Sequence, residues 1–509
     1  MANDNDHIIH LANGQLSPRS RTTREDVARM VTEAVNHQPA AGLVIHFHGG
    51  LVKETAGRAI AHRLLPIYAT AGAYPLFFVW ESGLLETVGN NLADISQEKI
   101  FREFVKKAAE WVLKKLPSGV GFKGAAGVAV DEIKLRQEFD AWFRGARSNP
   151  PEALEVQAGK SDAAISATLK GTALDQASLE TEIQLSIEGD FDFQDALQEV
   201  FNGLYEGGQT PPTTKGTAGT TVASTSLISP QAADGLFDRT PATTKGFSLI
   251  GWFKSAKMVA GIVVAVLRRL TAGRGHGLYV TTVEEVLRAL YVDKLGSLIW
   301  NQMKKDTSDA FLPGENHGGT ALLAELRKLE TAGVALPRIT LIGHSTGAIY
   351  ICQVIEAAAQ MLPQTCFEVV FLAPALTYDK FDATLANHRQ RIAHFRSFAM
   401  TDGWETADVL VPIIYPHSLL YFVSGLLETT VDEPLVGMQR YLSEDQIFTA
   451  AEFPAIARSH AFFADFRDSL IWAPDTLGDG TLSQSAKHGD FDDDADTLKS
   501  LQWLLQNGF

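Results

Sequence analysis

The sequence predicts an α/β fold with a doubly wound, mostly parallel sheet and large helical insertions that form a cap or lid. Short runs of β-branched and aromatic residues alternate with segments of helical periodicity near both ends of the chain. Two of these runs, around residues 339 and 369, are continuously apolar, as expected for strands that helices cover on both faces. A long middle segment breaks the alternation, so we expect it to be an insertion into the sheet-forming core.

Length and composition limit the class of protein. The chain has 509 residues, of which 45% are hydrophobic and 20% charged, and its formal net charge is −16. This length indicates one large decorated domain or two to three domains, and the apolar content allows a substantial core. The acidic surplus would repel polyphosphate, so we expect no nucleic-acid partner.

Two further features bear on the compartment. Cys352 and Cys366 are the only cysteines, and they provide neither a disulfide framework nor a cysteine zinc site. Residues 1–24 are polar and lack the apolar core of a signal peptide. We therefore expect a cytoplasmic protein.

Residues 1–80 are predicted to form the first part of the sheet-containing core. Residues 23–36 and 58–71 have helical spacing, whereas residues 42–47 and 74–80 are of strand type. Strand, helix and strand in close order indicate parallel pairing.

Residues 81–316 are the predicted helical insertion or cap. Residues 100–116 and 283–304 have the periodicity of helices. The segment 207–246 contains 10 threonines and few large apolar residues, so we expect it to be a disordered loop. Residues 247–270 combine an apolar run with basic flanks, which suits a buried helix or peripheral contact with a membrane.

Regular alternation returns beyond residue 316, in three parts. Residues 317–402 are predicted to be the central part of the core, 403–467 a second cap-like insertion, and 468–509 the last part of the core. The predicted helices are 320–331, 348–361 and 497–506, and the predicted strands are 338–343, 367–373, 392–400 and 469–472.

The strongest local signal is the pentapeptide Gly343-His344-Ser345-Thr346-Gly347, which lies between a predicted strand and a predicted helix. A serine at such a sharp turn needs glycines on both sides, because larger residues would clash with the strand and the helix. In this context the pattern resembles the nucleophile turn of the α/β-hydrolase superfamily. The resemblance covers residues 42–80 and residue 320 to the end, and it implies a serine hydrolase with Ser345 as the nucleophile.

The resemblance also implies a set of groups that bind the oxyanion or the substrate. His48-Gly49-Gly50 follows an early strand and looks like the oxyanion loop of the superfamily, with the backbone N–H of Thr346 as a second donor and His344 beside it. Such donors stabilise the negative charge that develops on a carbonyl oxygen during acyl transfer. The chemistry needs no cofactor and no metal.

The order of residues in the superfamily places the catalytic acid after the nucleophile. Asp402 directly follows the predicted strand 392–400 and is the expected acid. Asp379 and Asp382 are alternatives, and Asp408 is a weaker one.

His488 is the expected general base. It lies between the last predicted strand and the closing helix, where the superfamily carries its catalytic histidine. His417 and His460 fall in predicted helices, where packing or surface roles are more common.

Five aspartates follow His488 within eight residues: Asp490, Asp492, Asp493, Asp494 and Asp496. Their spacing lacks the EF-hand pattern. We expect them to cap the closing helix, because carboxylates favour a helix N-terminus.

These residues predict a carboxylic ester hydrolase, esterase-like or lipase-like, that forms an acyl-enzyme on a small-molecule or lipid ester. An amidase or peptidase with the same Ser-Asp-His triad is one alternative, since leaving-group preference depends on pocket details. A catalytically silent module that binds a ligand or a membrane is the other.

Overall fold

The computed structural model describes residues 6–16, 22–50, 53–80, 84–116, 132–151, 154, 176–206, 226–236, 249–442 and 448–509. The chain divides into two compact units. The first comprises Met1–Thr87, Ser297–Val409 and His417–Phe509, and the second comprises Val88–Gly296 with Leu410–Pro416. The expected second insertion, 403–467, therefore belongs to the first unit except for its short segment 410–416.

Seven parallel strands form one sheet in the described part of the first unit. They are β1 (Ile8–Leu11), β2 (Leu43–Phe47), β3 (Tyr74–Trp80), β4 (Ile339–His344), β5 (Phe367–Leu372), β6 (Ile392–Met400) and β7 (Leu470–Ala473). Their spatial order is β1-β3-β2-β4-β5-β6-β7, and every pairing is parallel. The α/β class and the parallel sheet are thus confirmed.

The helices of the first unit surround this sheet. They are α1 (Arg24–Asn36), α2 (Glu54–Thr70), α3 (Leu84–Gln97, which continues into the second unit), α11 (Ser297–Asp309), α12 (Gly318–Thr331), α13 (Gly347–Met361), α14 (Tyr378–His388), α15 (Asp402–Glu405), α16 (Leu419–Phe422), α17 (Pro454–Ala464) and α18 (Ala495–Asn507). Helix α1 begins with a capping box in which Thr23 and Asp26 satisfy each other's backbone N–H.

Strand β3 shows why both faces of the sheet are covered. Its residues are all buried, and alternate side chains point to opposite faces. Phe77 belongs to the core cluster that includes Leu64 of α2 and Leu501 of α18. Its neighbour Phe78 lies 6.1 Å, centroid to centroid, from Tyr350 of α13. Helices therefore pack on each face, which is the doubly wound arrangement.

The order of strands reverses between β2 and β4. Strands β3 and β1 lie on one side of β2, whereas β4 and all later strands lie on the other. Loops that leave the carboxyl ends of two such strands diverge, and ligands of open α/β sheets bind in the crevice between them. The loops after β2 and β4 carry His48-Gly49-Gly50 and Ser345.

The predicted strands are all present, with bounds within one residue of expectation. Strand β1 lies in the N-terminal segment where no strand was predicted. The prediction of one helix over 283–304 is wrong, because this stretch contains parts of two helices, Leu278–Tyr291 and Ser297–Asp309. Gly296, whose φ is +87°, precedes the second helix. His417 lies in a loop and not in a helix.

Helices make up the regular structure of the second unit in the described ranges. They are α4 (Lys99–Lys115), α5 (Glu132–Phe143), α6 (Gln176–Glu188), α7 (Phe191–Glu206), α8 (Pro230–Leu236), α9 (Leu249–Thr271) and α10 (Leu278–Tyr291). Helix α8 falls inside the expected loop 207–246. Its entry is fixed because Ser229 donates its backbone N–H to the Leu290 carbonyl, at 2.7 Å. Residues 207–225 and 237–248 lie outside the described residues.

Helix α9 is the one described helix that is long and apolar enough to cross a membrane. The stretch Ile250–Thr271 has a mean hydropathy of 1.6, and 56% of its most apolar window is buried inside the protein. A core helix gives the same signal.

A buried charge cluster ties the second unit together. Glu284 accepts hydrogen bonds from Tyr415 at 2.5 Å and pairs with His276 at 2.8 Å, and Arg269 bridges Glu284 and Glu285. Burial alone would raise the pKa of the Glu284 carboxyl, but the His276 and Arg269 charges hold it well below its ordinary value. The segment Leu410–Pro416 is anchored in this unit by Tyr415.

Candidate active site

Ser345 lies in the sharp turn between β4 and α13. Its φ is +53°, a left-handed conformation that is rare for residues other than glycine. A Cβ on Gly343 would lie 2.6 Å from the backbone of Gly347, and a Cβ on Gly347 would collide with the Phe47 carbonyl of β2. Both glycines are therefore required by close backbone approach, as the sequence pattern predicted.

His488 faces Ser345 across 143 residues of chain. Its Nε2 lies 2.9 Å from the Ser345 Oγ. A neutral imidazole that accepts the serine proton at Nε2 carries its own proton on Nδ1. Among the described residues, Nδ1 of His488 has no hydrogen-bond partner. The structure thus brings the expected nucleophile and base together without an acid on the base.

The charge state of His488 suits a proton acceptor. The pKa of its imidazole is lowered to about 3, because burial and, to a smaller extent, the neighbouring His344 lower it by more than Asp492 raises it. At neutral pH His488 is therefore uncharged.

Asp402, the expected acid, begins helix α15 directly after β6. Its Oδ1 accepts a hydrogen bond from the Tyr421 hydroxyl at 2.6 Å, and its backbone N–H donates to Gln439. In this structure the Asp402 carboxylate does not contact the His488 ring.

The alternative acids are elsewhere or bind differently. Asp408 accepts the backbone N–H of His488 at 2.9 Å, so it holds the main chain of the base and not its ring. Asp382 forms an ion pair with Arg458, and Asp379 lies in the first turn of α14. None of the three touches Nδ1.

The alternative histidines also have other places. His460 lies on α17 and is exposed, and His417 pairs through Nδ1 with the Thr406 carbonyl at 2.9 Å. Neither approaches Ser345 in the contacts of the described residues.

The loop after β2 lies against the nucleophile. A Cβ on Gly49 would lie 3.4 Å from the Ser345 Cβ, and one on Gly50 would contact the Thr346 side chain. In the part of the chain that the structure describes, no hydrogen bond engages the backbone N–H of Gly49, Gly50 or Thr346. These three donors are available for an oxyanion next to Ser345.

His48 shapes this loop through its ring. The ring stacks on Trp80 with centroids 4.0 Å apart, and its Nε2 accepts the Trp80 backbone N–H at 3.2 Å. The proton is therefore on Nδ1, which donates to the Gly49 carbonyl at 2.5 Å. Burial lowers the pKa of His48 to about 4. Both nitrogens are engaged, so the ring orients Gly49 and does not offer a donor to substrate.

His344, which the resemblance placed with the oxyanion or substrate-binding groups, also points elsewhere. Its Nε2 donates to the His488 carbonyl at 2.9 Å, and its Nδ1 faces the Asp492 carboxylate at 3.5 Å. Sequence reasoning missed Asp492, because it stood in a run of aspartates that all looked like helix caps. Asp494 does cap α18, accepting the Thr497 N–H at 2.8 Å, whereas Asp492 is 2% exposed.

The site is closed in this structure. Ser345 is 3% exposed and His488 is 6% exposed. A cavity of about 530 Å³ opens in the same unit beside Ile349, Gln353 and Leu376, but Ser345 does not line it. Ser345 and His488 are therefore covered by other groups of the protein.

Comparison with known proteins finds no matching family model, curated sequence or solved structure.

Proposed function

We propose that this chain is a serine hydrolase that cleaves carboxylic esters and that its first unit is an α/β-hydrolase fold. The observation that carries the proposal is the 2.9 Å contact between Ser345 Oγ and His488 Nε2. It joins a serine in a left-handed strand-to-helix turn to an uncharged histidine in the loop before the last helix. The loops after β2 and β4, at the switch point of the sheet, carry the free backbone donors and Ser345, and the segment between β7 and α18 supplies His488.

The proposed first half-reaction forms an acyl-enzyme. His488 Nε2 takes the Ser345 hydroxyl proton while Oγ attacks the ester carbonyl carbon. The carbonyl oxygen becomes an oxyanion and accepts hydrogen bonds from the N–H groups of Thr346 and of Gly49 or Gly50. Collapse of this intermediate breaks the bond to the leaving alkoxide, which takes the proton from His488. The alcohol departs and Ser345 remains acylated.

The second half-reaction uses the same groups in reverse. His488 removes a proton from water as the water attacks the acyl carbonyl, and it then returns that proton to Ser345 Oγ as the acid leaves. No cofactor enters either step. Asp402 was expected to stabilise the imidazolium, but its carboxylate bonds Tyr421. This contact favours a mechanism with the Ser345–His488 pair over one with a full triad.

The test is activity-based. A fluorophosphonate should label Ser345, and p-nitrophenyl esters from acetyl to palmitoyl should be hydrolysed. Faster cleavage of a p-nitroanilide than of the matched ester would favour an amidase or peptidase. Failure to label or to hydrolyse any ester would favour a silent binding module.

A second proposal concerns helix α9, which we infer can contact an anionic membrane surface peripherally. Its outward face carries Ile250 and Phe253, which are 57% and 42% exposed, with the exposed cations Lys254, Lys257 and Arg268. The helix contains no acidic residue. Exposed apolar groups beside cations match the interface of an anionic bilayer.

Vesicle sedimentation tests this contact. Binding should be stronger to phosphatidylserine vesicles than to phosphatidylcholine vesicles, and Lys254→Glu with Lys257→Glu should abolish the difference. Arg467→Glu is the control, because Arg467 is 94% exposed and lies in the first unit. Equal binding of both variants would contradict the assignment.

A further inference from the structure

The main chain of His488 is held at both of its polar groups. The backbone N–H donates to Asp408 at 2.9 Å, and the carbonyl accepts the Nε2 proton of His344 at 2.9 Å. The His488 ring bonds Ser345 through Nε2 and lies 5.5 Å, centroid to centroid, from the His344 ring, while Nδ1 has no hydrogen-bond partner among the described residues. The orientation of the ring toward Ser345 therefore depends on where the backbone is held.

His344 in turn lies at ion-pair distance from a buried carboxylate, although neither facing atom makes a hydrogen bond within the described residues. Its Nδ1 lies 3.5 Å from Oδ2 of Asp492, and both side chains are less than a tenth exposed. Arg63 binds the other side of Asp492, with one guanidinium nitrogen 3.2 Å from Oδ1 and 3.0 Å from the main-chain oxygen. Buried ionised groups are stable only when they are paired in this way.

Burial alone would make both members of this pair neutral. The contact with Asp492 nevertheless raises the pKa of His344 above its ordinary value. In the same way His344, His46 and Arg63 hold the pKa of the Asp492 carboxyl below its ordinary value. The raised pKa favours the protonated form of His344, and protonation strengthens the hydrogen bond that Nε2 donates to the His488 carbonyl.

We infer that His344 and Asp492 are positioning residues, which set the distance between His488 Nε2 and Ser345 Oγ by holding the His488 carbonyl. His344 directly precedes Ser345 in the chain. Its hydrogen bond to the His488 carbonyl therefore holds the proposed base next to the proposed nucleophile. Ser345 bonds the His488 ring, the His488 carbonyl bonds His344, and His344 is covalently joined to Ser345. Asp492 lies on the other side of the His344 ring. This inference rests on the proposed roles of Ser345 and His488.

The first arm of the test compares two substitutions of His344. His344→Leu removes the donor, and His344→Gln keeps an amide N–H near the position of Nε2. We expect kcat for p-nitrophenyl acetate to fall about 10- to 100-fold in His344→Leu with KM unchanged, since the buried hydrogen bond to the His488 carbonyl is lost. His344→Gln should recover most of the loss.

The second arm uses Asp492. Asp492→Asn should lower kcat in the same direction, whereas Asp493→Asn should leave it unchanged. Asp493 is the matched control because it is adjacent, exposed, and also faces Arg63, at 3.4 Å. Asp492→Asn also keeps the inference testable if His344→Leu does not fold.

The third arm does not require activity. Nitrogen-15 NMR of the imidazoles should show His488 titrating at a higher pH in His344→Gln than in the wild type, because His344 lowers the pKa of His488. Wild-type kcat in both His344→Leu and Asp492→Asn, with unchanged His488 titration in His344→Gln, would overturn the inference. If the wild type neither hydrolyses esters nor labels, the proposed function fails, and the NMR result alone decides whether His344 acts on His488.

Discussion

The Asp402 carboxylate is bound by the Tyr421 hydroxyl at 2.6 Å. Chain order had instead predicted that the Asp402 carboxylate would bond the catalytic base, His488. The Nδ1 atom of His488 is left without an acceptor within the described ranges. The predicted Ser345-Asp402-His488 triad and the observed Ser345–His488 pair therefore predict different losses of kcat when Asp402 is replaced.

The Asp402 position separates these two predictions. If Asp402 serves only Tyr421, Asp402→Asn should lower kcat for p-nitrophenyl acetate by less than about 10-fold, because a neutral amide can still accept that hydrogen bond. An acid acting on the imidazole would instead cost about ten-thousandfold. Tyr421→Phe is the control, since it removes the contact and keeps the carboxylate. A loss of the larger size would show that Asp402 reaches Nδ1 during turnover.

Replacement of the proposed nucleophile should remove all labelling. We expect Ser345→Ala to lose fluorophosphonate labelling and about a millionfold of kcat, as loss of the nucleophile does in a known serine protease. Ser459→Ala is the matched control, because Ser459 is also fully buried and its hydroxyl has no partner among the described residues. In-gel fluorescence and mass spectrometry of the labelled peptide measure the result. Labelling that persists in Ser345→Ala would place the nucleophile elsewhere.

Stability should fall as the pH is lowered from neutrality. Burial lowers the pKa of His46 and of His488 to about 3 and that of His48 to about 4. The unfolded chain therefore binds more protons than the folded one below about pH 6.5, where an unperturbed histidine titrates. Urea unfolding between pH 7 and pH 4 should show a steadily decreasing free energy of unfolding.

His46→Asn tests the source of this pH dependence. The variant removes one titrating ring and keeps an atom that can bond Tyr68, which pairs with His46 Nδ1 at 3.0 Å. The slope of the free energy against pH should become shallower between pH 6.5 and pH 4. His344 acts in the opposite direction, because its raised pKa gives stability that is lost as the pH rises through the folded value. An unchanged slope in His46→Asn would contradict the assignment.

The second unit should depend strongly on Glu284. Glu284→Gln removes one of the two carboxylates that bind Arg269 and the carboxylate beside His276, and loss of a partner from a buried ion pair costs up to about 3–5 kcal/mol. Glu182→Gln, which removes an exposed partner of Lys115, should cost less than about 1 kcal/mol. Hydrogen exchange of α9 and α10 measures the difference. Equal protection in both variants would show that the cluster does not hold the unit.

The sequence was sufficient for the sheet because each strand is a short apolar run that needs no distant information. It was also sufficient for the sharp turn at Ser345, since the two flanking glycines are required by local backbone contacts. It did not predict the partners of Asp402 and Asp492, because the carboxylates look alike in sequence. Their contacts depend on which partners the fold brings near. Asp402 meets Tyr421, which is 19 residues away, and Asp492 meets His344 and Arg63 from distant segments.

The composition of residues 207–246 predicted a disordered loop, but part of this segment is ordered by contacts with distant residues. Few large apolar residues are present, yet residues 226–236 include a short helix. Glu98 accepts hydrogen bonds from Ser226 and Leu227, and Ser229 bonds the last turn of α10. Partners from remote parts of the chain therefore order a segment that could not order itself.

The segment Leu410–Pro416 limits how the chain can be shortened. Joining residue 87 directly to residue 297 would remove Glu284 and Tyr279, the partners of Tyr415 and of the Ile413 carbonyl. A seven-residue stretch with several apolar side chains would then be left without its packing, two residues after the aspartate that holds His488. A minimal first unit would therefore need a short polar replacement for residues 410–416 as well as the long deletion, and the deletion alone should give an aggregating chain.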